Sequence, residues 1–244
     1  MIAMLGMYDL PALQGANDRF WQAIRTRLGA GPETLDRETD FWAIWRDPEM
    51  IFSQTCGMPY RTALHGTVQL VGTPDYDLPG CAPGYYNSVL IVRADAPGRT
   101  MQDFAGGTFA YNEPVSQSGW AAPMTYLNGA GVAFKTLIQT GAHAASARAV
   151  AEGRADMAGI DALTWALMQE HEGFADKLQV IAKTPPTPGL PYITALGQDA
   201  DRISHAVNGA ITDLSPADSQ ALHLKGLVAI PTADYLSVPT PPDP

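Results

Sequence analysis

Between residues 107 and 183 the chain alternates short apolar runs with amphipathic ones, and this alternation limits the possible folds more than any other feature. GTFAYNE, FKTLIQTG, ADMAGID and LQVIAKT read as strands; SGWAAPMTYLNG, HAASARAVAEGR and LTWALMQEHEGFADK between them read as helices. Strands joined through helices run largely parallel, because a parallel return needs a crossover of about a dozen residues or more. The expectation is a mostly parallel, doubly wound α/β sheet flanked by helices.

The flanking segments extend the pattern. MIAMLGMY, MIFSQT and VQLVGTPDY read as strands, and QGANDRFWQAIRTRLGAG as a helix with Phe20, Ile24 and Leu28 on one face. FWAIWRDP is a short helix stopped at Pro48. YYNSVLIVRAD is the strongest strand, with Val89, Leu90, Ile91 and Val92 in sequence. TPPTPGLPY, residues 184–192, is too rich in proline to lie inside a sheet or helix. A strand (YITAL), two helices (DADRISHAVNGAITD and SPADSQALHL) and a short tail follow, and the final PTPPDP reads as a frayed end. The last piece is too short to be a domain, so it returns to the first. Lobe 1 is expected to hold residues 1–88 plus 188–244, and lobe 2 residues 89–187. The hinge crossings fall near 85–89 and 184–192. Two α/β lobes joined by two crossings make a clamshell, with a ligand cleft at the carboxyl ends of the strands.

Composition narrows the function. The chain has 244 residues, 46% hydrophobic and 16% charged, which fits a globular protein with a real core. No apolar run approaches the ~20 residues of a membrane helix. The net charge is −10 and the basic residues are scattered, so neither nucleic acid nor an anionic membrane surface is an expected partner. Cys56 and Cys81 lack metal-ligand spacing; they read either as two buried thiols or as one disulfide in an oxidising compartment. MIAMLGMYDLPAL has no basic n-region and breaks at Asp9, so it is not a signal peptide. Periplasm, after removal of a leader, and cytosol both stay open. No cofactor or metal is expected.

EPVSQSGWAAP, residues 113–123, joins a strand to a helix without a Lys or Arg. The first amides of a helix lack internal partners, and the dipole places partial positive charge there. Ser116 and Ser118 add hydroxyls, and Gly119 lets a ligand approach the backbone. The joint therefore suits an anion, and it equally suits a plain Ser cap. It is not a Walker loop, since Gly-Lys-Ser/Thr is absent. The next two joints of the same sheet carry His143 and Asp161, so Ser116, Ser118, His143 and Asp161 share one rim. Singly, His143 reads as a surface or capping residue and Asp161 as an N-cap.

EPVSQSGW resembles the P-x-S-x-S-G signature of the phosphate/phosphonate-type ABC-transporter solute-binding proteins. TGAHAASARAVAEGRADMAGIDALTW is similar to the G-x-H…G-x-A-D-x-A-x-I-D…W run of that family, and VIAKTPPTPGLPY to its return hinge. The resemblance implies a type II periplasmic-binding-protein clamshell, each lobe a mixed, mostly parallel sheet flanked by helices. It implies capture of a small phosphonate, phosphite, phosphate or related oxyanion, delivery to a membrane permease, a periplasmic location, and no catalysis. A monomer is expected. Ser116, Gln117, Ser118 and Gly119 would bind the oxyanion, with His143 and Asp161 completing the wall. Gln117 replaces the usual threonine, and SQTCGMPY departs from the family's aromatic strand end. By position, Tyr8, Asp9, Gln54, Thr55 and Tyr86 are the first-lobe candidates. An ammonium on the ligand would turn to Asp161 or Asp9. Two other readings stay open: a soluble ligand sensor of the same fold, and an enzyme acting on a phosphorylated or thiamine-precursor-like substrate. Against the enzyme stands the absence of a G-x-S-x-G elbow.

Overall fold

Two five-stranded sheets, one in each of two units of chain, carry the fold of the computed structural model, which describes residues 1–244. The first unit is Met1–Tyr85 with Pro188–Ser237, the second Tyr86–Thr187 with Val238–Pro244. The strands are β1 (Ile2–Met4), β2 (Met50–Gln54), β3 (Val68–Asp75), β4 (Tyr85–Tyr86), β5 (Ser88–Arg93) and β6 (Thr108–Tyr111). They continue with β7 (Thr136–Gln139), β8 (Met157–Asp161), β9 (Leu178–Lys183), β10 (Thr187–Pro188), β11 (Tyr192–Ala195) and β12 (Gly226–Val228). The helices are α1 (Gln14–Leu28), α2 (Phe41–Trp45), α3 (Gly57–Pro59), α4 (Ala122–Gly129) and α5 (His143–Ala151). After them come α6 (Ala162–His171), α7 (Ala200–Thr212), α8 (Pro216–Ala221) and α9 (Thr232–Leu236). No helix is long and apolar enough to cross a membrane.

The first sheet has the order β1-β2-β11-β3-β12, the second β7-β6-β8-β5-β9. Both are mixed. Parallel pairing is confined to β1–β2 and to β7–β6–β8. β11 runs antiparallel between β2 and β3, and β5 antiparallel between β8 and β9. Each of these two strands follows a crossing between the units and enters its sheet against its neighbours. The parallel pattern legible in the sequence is therefore interrupted once in the second sheet, at β5, and twice in the first, where β12 as well as β11 runs antiparallel to β3. TPPTPGLPY does enter a sheet after all: Thr187–Pro188 pairs with Tyr85–Tyr86 as a two-stranded ribbon. A two-residue edge strand tolerates a proline that a central strand would not.

β5 is apolar throughout because both its faces are covered. Val89 and Ile91 pack with Ala110, Ala147, Val150, Ile160 and Trp165 on one side. Leu90 and Val92 pack with Phe109, Tyr111, Trp120, Leu127 and Met157 on the other. Burying each such aliphatic side chain contributes ~1.5–3 kcal/mol. In the first unit Met4, Met50, Val68 and Ile193 meet Ile44, Trp45, Tyr60 and Tyr235 on one face. On the opposite side the α1 ring of Trp21 stacks on Phe52, and that of Phe20 packs at a tilt against Tyr192.

The C-terminal segment departs from expectation. Residues 238–244 pack with the second unit, not the first, and are not frayed: the Trp120 indole N–H donates to the Pro242 carbonyl at 3.1 Å. β12 and α9, expected to be part of a plain tail, complete the first unit. Cys56 and Cys81 are half-buried and not bridged to each other, so the disulfide is not formed. Each is fixed by its own turn: Cys56 accepts from Tyr60 N–H at the head of α3, and Cys81 N–H donates to Leu78.

Candidate functional site

In the second unit the turn after β6 and the start of α5 bring Ser116, Ser118, Gly119 and His143 to one place. After β6 the chain turns at Glu113–Val115 and enters a π-type turn, Gln117–Ala121, that leads into α4. Ser116 caps this turn, its Oγ accepting from Gly119 N–H at 3.0 Å. The Ser116 carbonyl accepts from both Trp120 N–H (3.2 Å) and Ala121 N–H (2.9 Å). The amides of Gln117 and Ser118 precede that ring and are not consumed by it. Pro123 stands in the first turn of α4, where its missing N–H costs nothing.

Two glycines set how closely these pieces approach. A β-carbon on Gly119 would lie 1.8 Å from Asn112 Oδ1 and 3.2 Å from the His143 ring. One on Gly159, in β8, would lie 2.3 Å from the Pro123 ring and 3.3 Å from the Ser118 carbonyl. The turn is thus pressed onto the sheet at Gly159 and onto Asn112 and His143 at Gly119.

Ser118 Oγ and His143 Nε2 are 3.0 Å apart. His143 opens α5 and keeps part of its surface, but its Nδ1 is fully enclosed. Desolvation therefore lowers its pKa to about 4, opposed in part by the Gly159 backbone carbonyl. At neutral pH the ring is uncharged. Neither Nδ1 nor Asn112 Oδ1 has a well-formed hydrogen bond, although both are buried. Ser116, Gln117 and Ser118 are buried as well. The arrangement supplies hydroxyl and amide donors without a cationic side chain.

Asp161 ends β8 and is buried. Its carboxylate caps α6, accepting from Thr164 N–H at 2.9 Å, as the local reading of that residue has it. Tyr86 is buried in β4.

In the first unit the nominated residues gather at the carboxyl ends of β1, β2 and β3. Tyr8 packs edge-on against Tyr76, with ring centroids 5.4 Å apart. Gln54 donates to Tyr76 Oη (3.2 Å) and to the Leu190 carbonyl (3.1 Å). Thr55 is buried, and its N–H donates to Pro191. Asp9 is already engaged: Asn17 Nδ2 donates to it at 2.8 Å and Arg37 Nε at 2.5 Å. Sequence reasoning missed Tyr76 and Tyr192. Tyr76 directly follows β3 and was legible by the strand-end rule that found Tyr8. Tyr192 sits opposite Gln54 through the antiparallel return of β11, a register not readable from sequence. Its phenol is buried beside that of Tyr76, which together hold its pKa well above the usual range. No three His, Cys, Asp or Glu side chains converge as a metal site.

Residues 56–235 match the family described as ABC transporter, phosphonate, periplasmic substrate-binding protein. No curated protein sequence matches. Among solved structures the chain is similar to PhnD1 of Prochlorococcus marinus in complex with methylphosphonate: 16% identity, 96% of this chain and 94% of that one, TM-score 0.77. It is similar to PA3383 of Pseudomonas aeruginosa, a binding protein component of an ABC phosphonate transporter: 18% identity, 96% and 83% coverage, TM-score 0.74. XAC2383 of Xanthomonas citri, bound to chloride, is similar at 16% identity, 96% and 93% coverage, TM-score 0.71.

Proposed function

The chain belongs to the periplasmic substrate-binding proteins of phosphonate ABC transporters, and on that premise we propose that it captures a small oxyanion at the Ser116–Gly119 turn. Its role is solute binding. The observation that carries the anion reading is the Ser118–His143 pair set on a buried, Ser-capped turn without any charged side chain. A neutral imidazole has one N–H. With the proton on Nδ1, Nε2 accepts from the Ser118 hydroxyl; with it on Nε2, the imidazole donates to Ser118 Oγ and the serine proton turns to the anion. An anion at the turn favours the second arrangement. The Ser116 hydroxyl and the amides of Gln117 and Ser118 are the remaining donors.

Uncharged, preorganised donors suit capture and release. They do not suit hydrolysis. A serine nucleophile needs a base that is itself oriented by an acid. Here His143 has its pKa lowered to about 4, and Asp161 is committed to α6. The ligand class is a phosphonate or a related oxyanion; methylphosphonate in PhnD1 and chloride in XAC2383 are consistent with it. With Asp9 held by Arg37 and Asn17, an ammonium group on the ligand would have to displace an ion pair to use it. A periplasmic location, delivery to a membrane permease and a monomeric state complete the reading.

A thermal-shift screen against methylphosphonate, phosphite, phosphate, 2-aminoethylphosphonate and sulfate tests it. A ligand that binds only the folded chain raises its melting temperature with concentration. A rise with at least one phosphorus oxyanion is expected; no rise with any would remove the anion reading.

A further inference from the structure

The π-type turn that carries Ser118 is a geometry that rarely persists unaided. Its one core side chain of large size, Trp120, is tied from outside the sheet by residues 238–244, VPTPPDP. The wide ring of the turn is closed by Ala121 N–H on the Ser116 carbonyl, which the neighbouring Trp120 N–H shares; the Trp120 ring packs on Tyr111 with centroids 5.0 Å apart, and its indole N–H donates to Pro242. Val238 and Pro239 reach the other side of the same turn. They line, with Gln117, Tyr126, Pro185 and Pro186, an apolar cavity of about 560 Å³. Four of the seven tail residues are proline, so the segment is stiff and extended before it docks and loses little freedom in doing so. An indole donating to a carbonyl of a proline-rich strand is a common way to hold one.

We infer that residues 238–244 are a positioning element for the anion turn: through Pro242 and Trp120 the tail holds Gln117–Ala121 in its wide geometry. The importance of that role to ligand binding rests on the reading of the turn as the anion site; the effect on the turn itself does not.

Three full-length variants test it: Trp120→Phe, which keeps a ring and removes the donor; Pro239→Gly/Pro241→Gly/Pro242→Gly, which loosens the tail; and both together. Amide hydrogen exchange reads the turn directly. Exchange at residues 117–121 should rise about tenfold in the tail variant, the effect of one buried hydrogen bond. The rise should be similar in Trp120→Phe and no larger in the combination, with α5 unchanged. Affinity for methylphosphonate should fall several-fold in all three. Unchanged exchange at the turn would overturn the inference, as would equal acceleration in α5. Unchanged methylphosphonate affinity in the tail variant, where Ser118→Ala weakens it, would do the same. If Ser118→Ala itself leaves affinity unchanged, the anion reading fails instead, and the exchange data decide the role of the tail.

Discussion

Gly119 has no room for a β-carbon, because Asn112 Oδ1 stands 1.8 Å from where that atom would be. Gly119→Ala is expected to cost about 1–3 kcal/mol, the usual range for overpacking a buried site. Asn112→Ala in the same chain should recover most of that loss; denaturant unfolding of the two single variants and the double one measures the coupling. His143 sets a pH dependence. Its folded pKa, about 4, lies below the ordinary histidine value of 6.5, so the folded state binds the proton more weakly than the unfolded chain. Stability from this group is complete above about 6.5 and is lost as pH falls toward 4, by on the order of 3 kcal/mol. His143→Gln should flatten the unfolding free energy across that window. An unaltered slope would mean that the ring titrates normally. Of these residues, Ser116, Ser118 and His143 were legible because each stands at a strand-to-helix joint. Asn112 was not, since its contact with Gly119 depends on how tightly the turn is pressed down.

The same closeness acts between elements at Gly159. There β8 lies against Pro123 of α4 and the Ser118 carbonyl, and the proline ring cannot rotate out of the way. Gly159→Ala should lift the turn and α4 from the sheet, lowering stability by about 1–3 kcal/mol. Weaker anion binding should accompany it; calorimetry with methylphosphonate measures that loss, and full affinity would show that the turn tolerates displacement. Strands and helices from 107 to 183 were readable because each has a clear period and most are bounded by Gly, Asn or Asp. β12 and α9 were not, being three and five residues long with little pattern of their own. Nor could the sequence show that β5 and β11 run against their neighbours. Pairing direction depends on where a strand enters a sheet, not on its composition.

At the scale of the molecule, the formal charge of −10 opposes an incoming anion. Association with a dianion should therefore quicken as salt is added over the range where screening acts, about 10 to 150 mM; stopped-flow mixing with hydrogen phosphite would show it. A rate that falls with salt would point to a local positive field stronger than the net charge. The division into two units followed from the proline-rich return near 184–192, but the third passage of chain, at residues 237–238, was hidden by a segment whose composition resembles a loose end. What remains central is whether the Ser116–Gly119 turn holds the ligand. Isothermal calorimetry of the unaltered chain and of Ser118→Ala, with methylphosphonate, phosphite, phosphate and sulfate, addresses it most directly. One-to-one binding of at least one phosphorus oxyanion is expected, weakened by about 1–3 kcal/mol in Ser118→Ala. Equal affinity in the two chains, or no heat with any of the four anions, would contradict it.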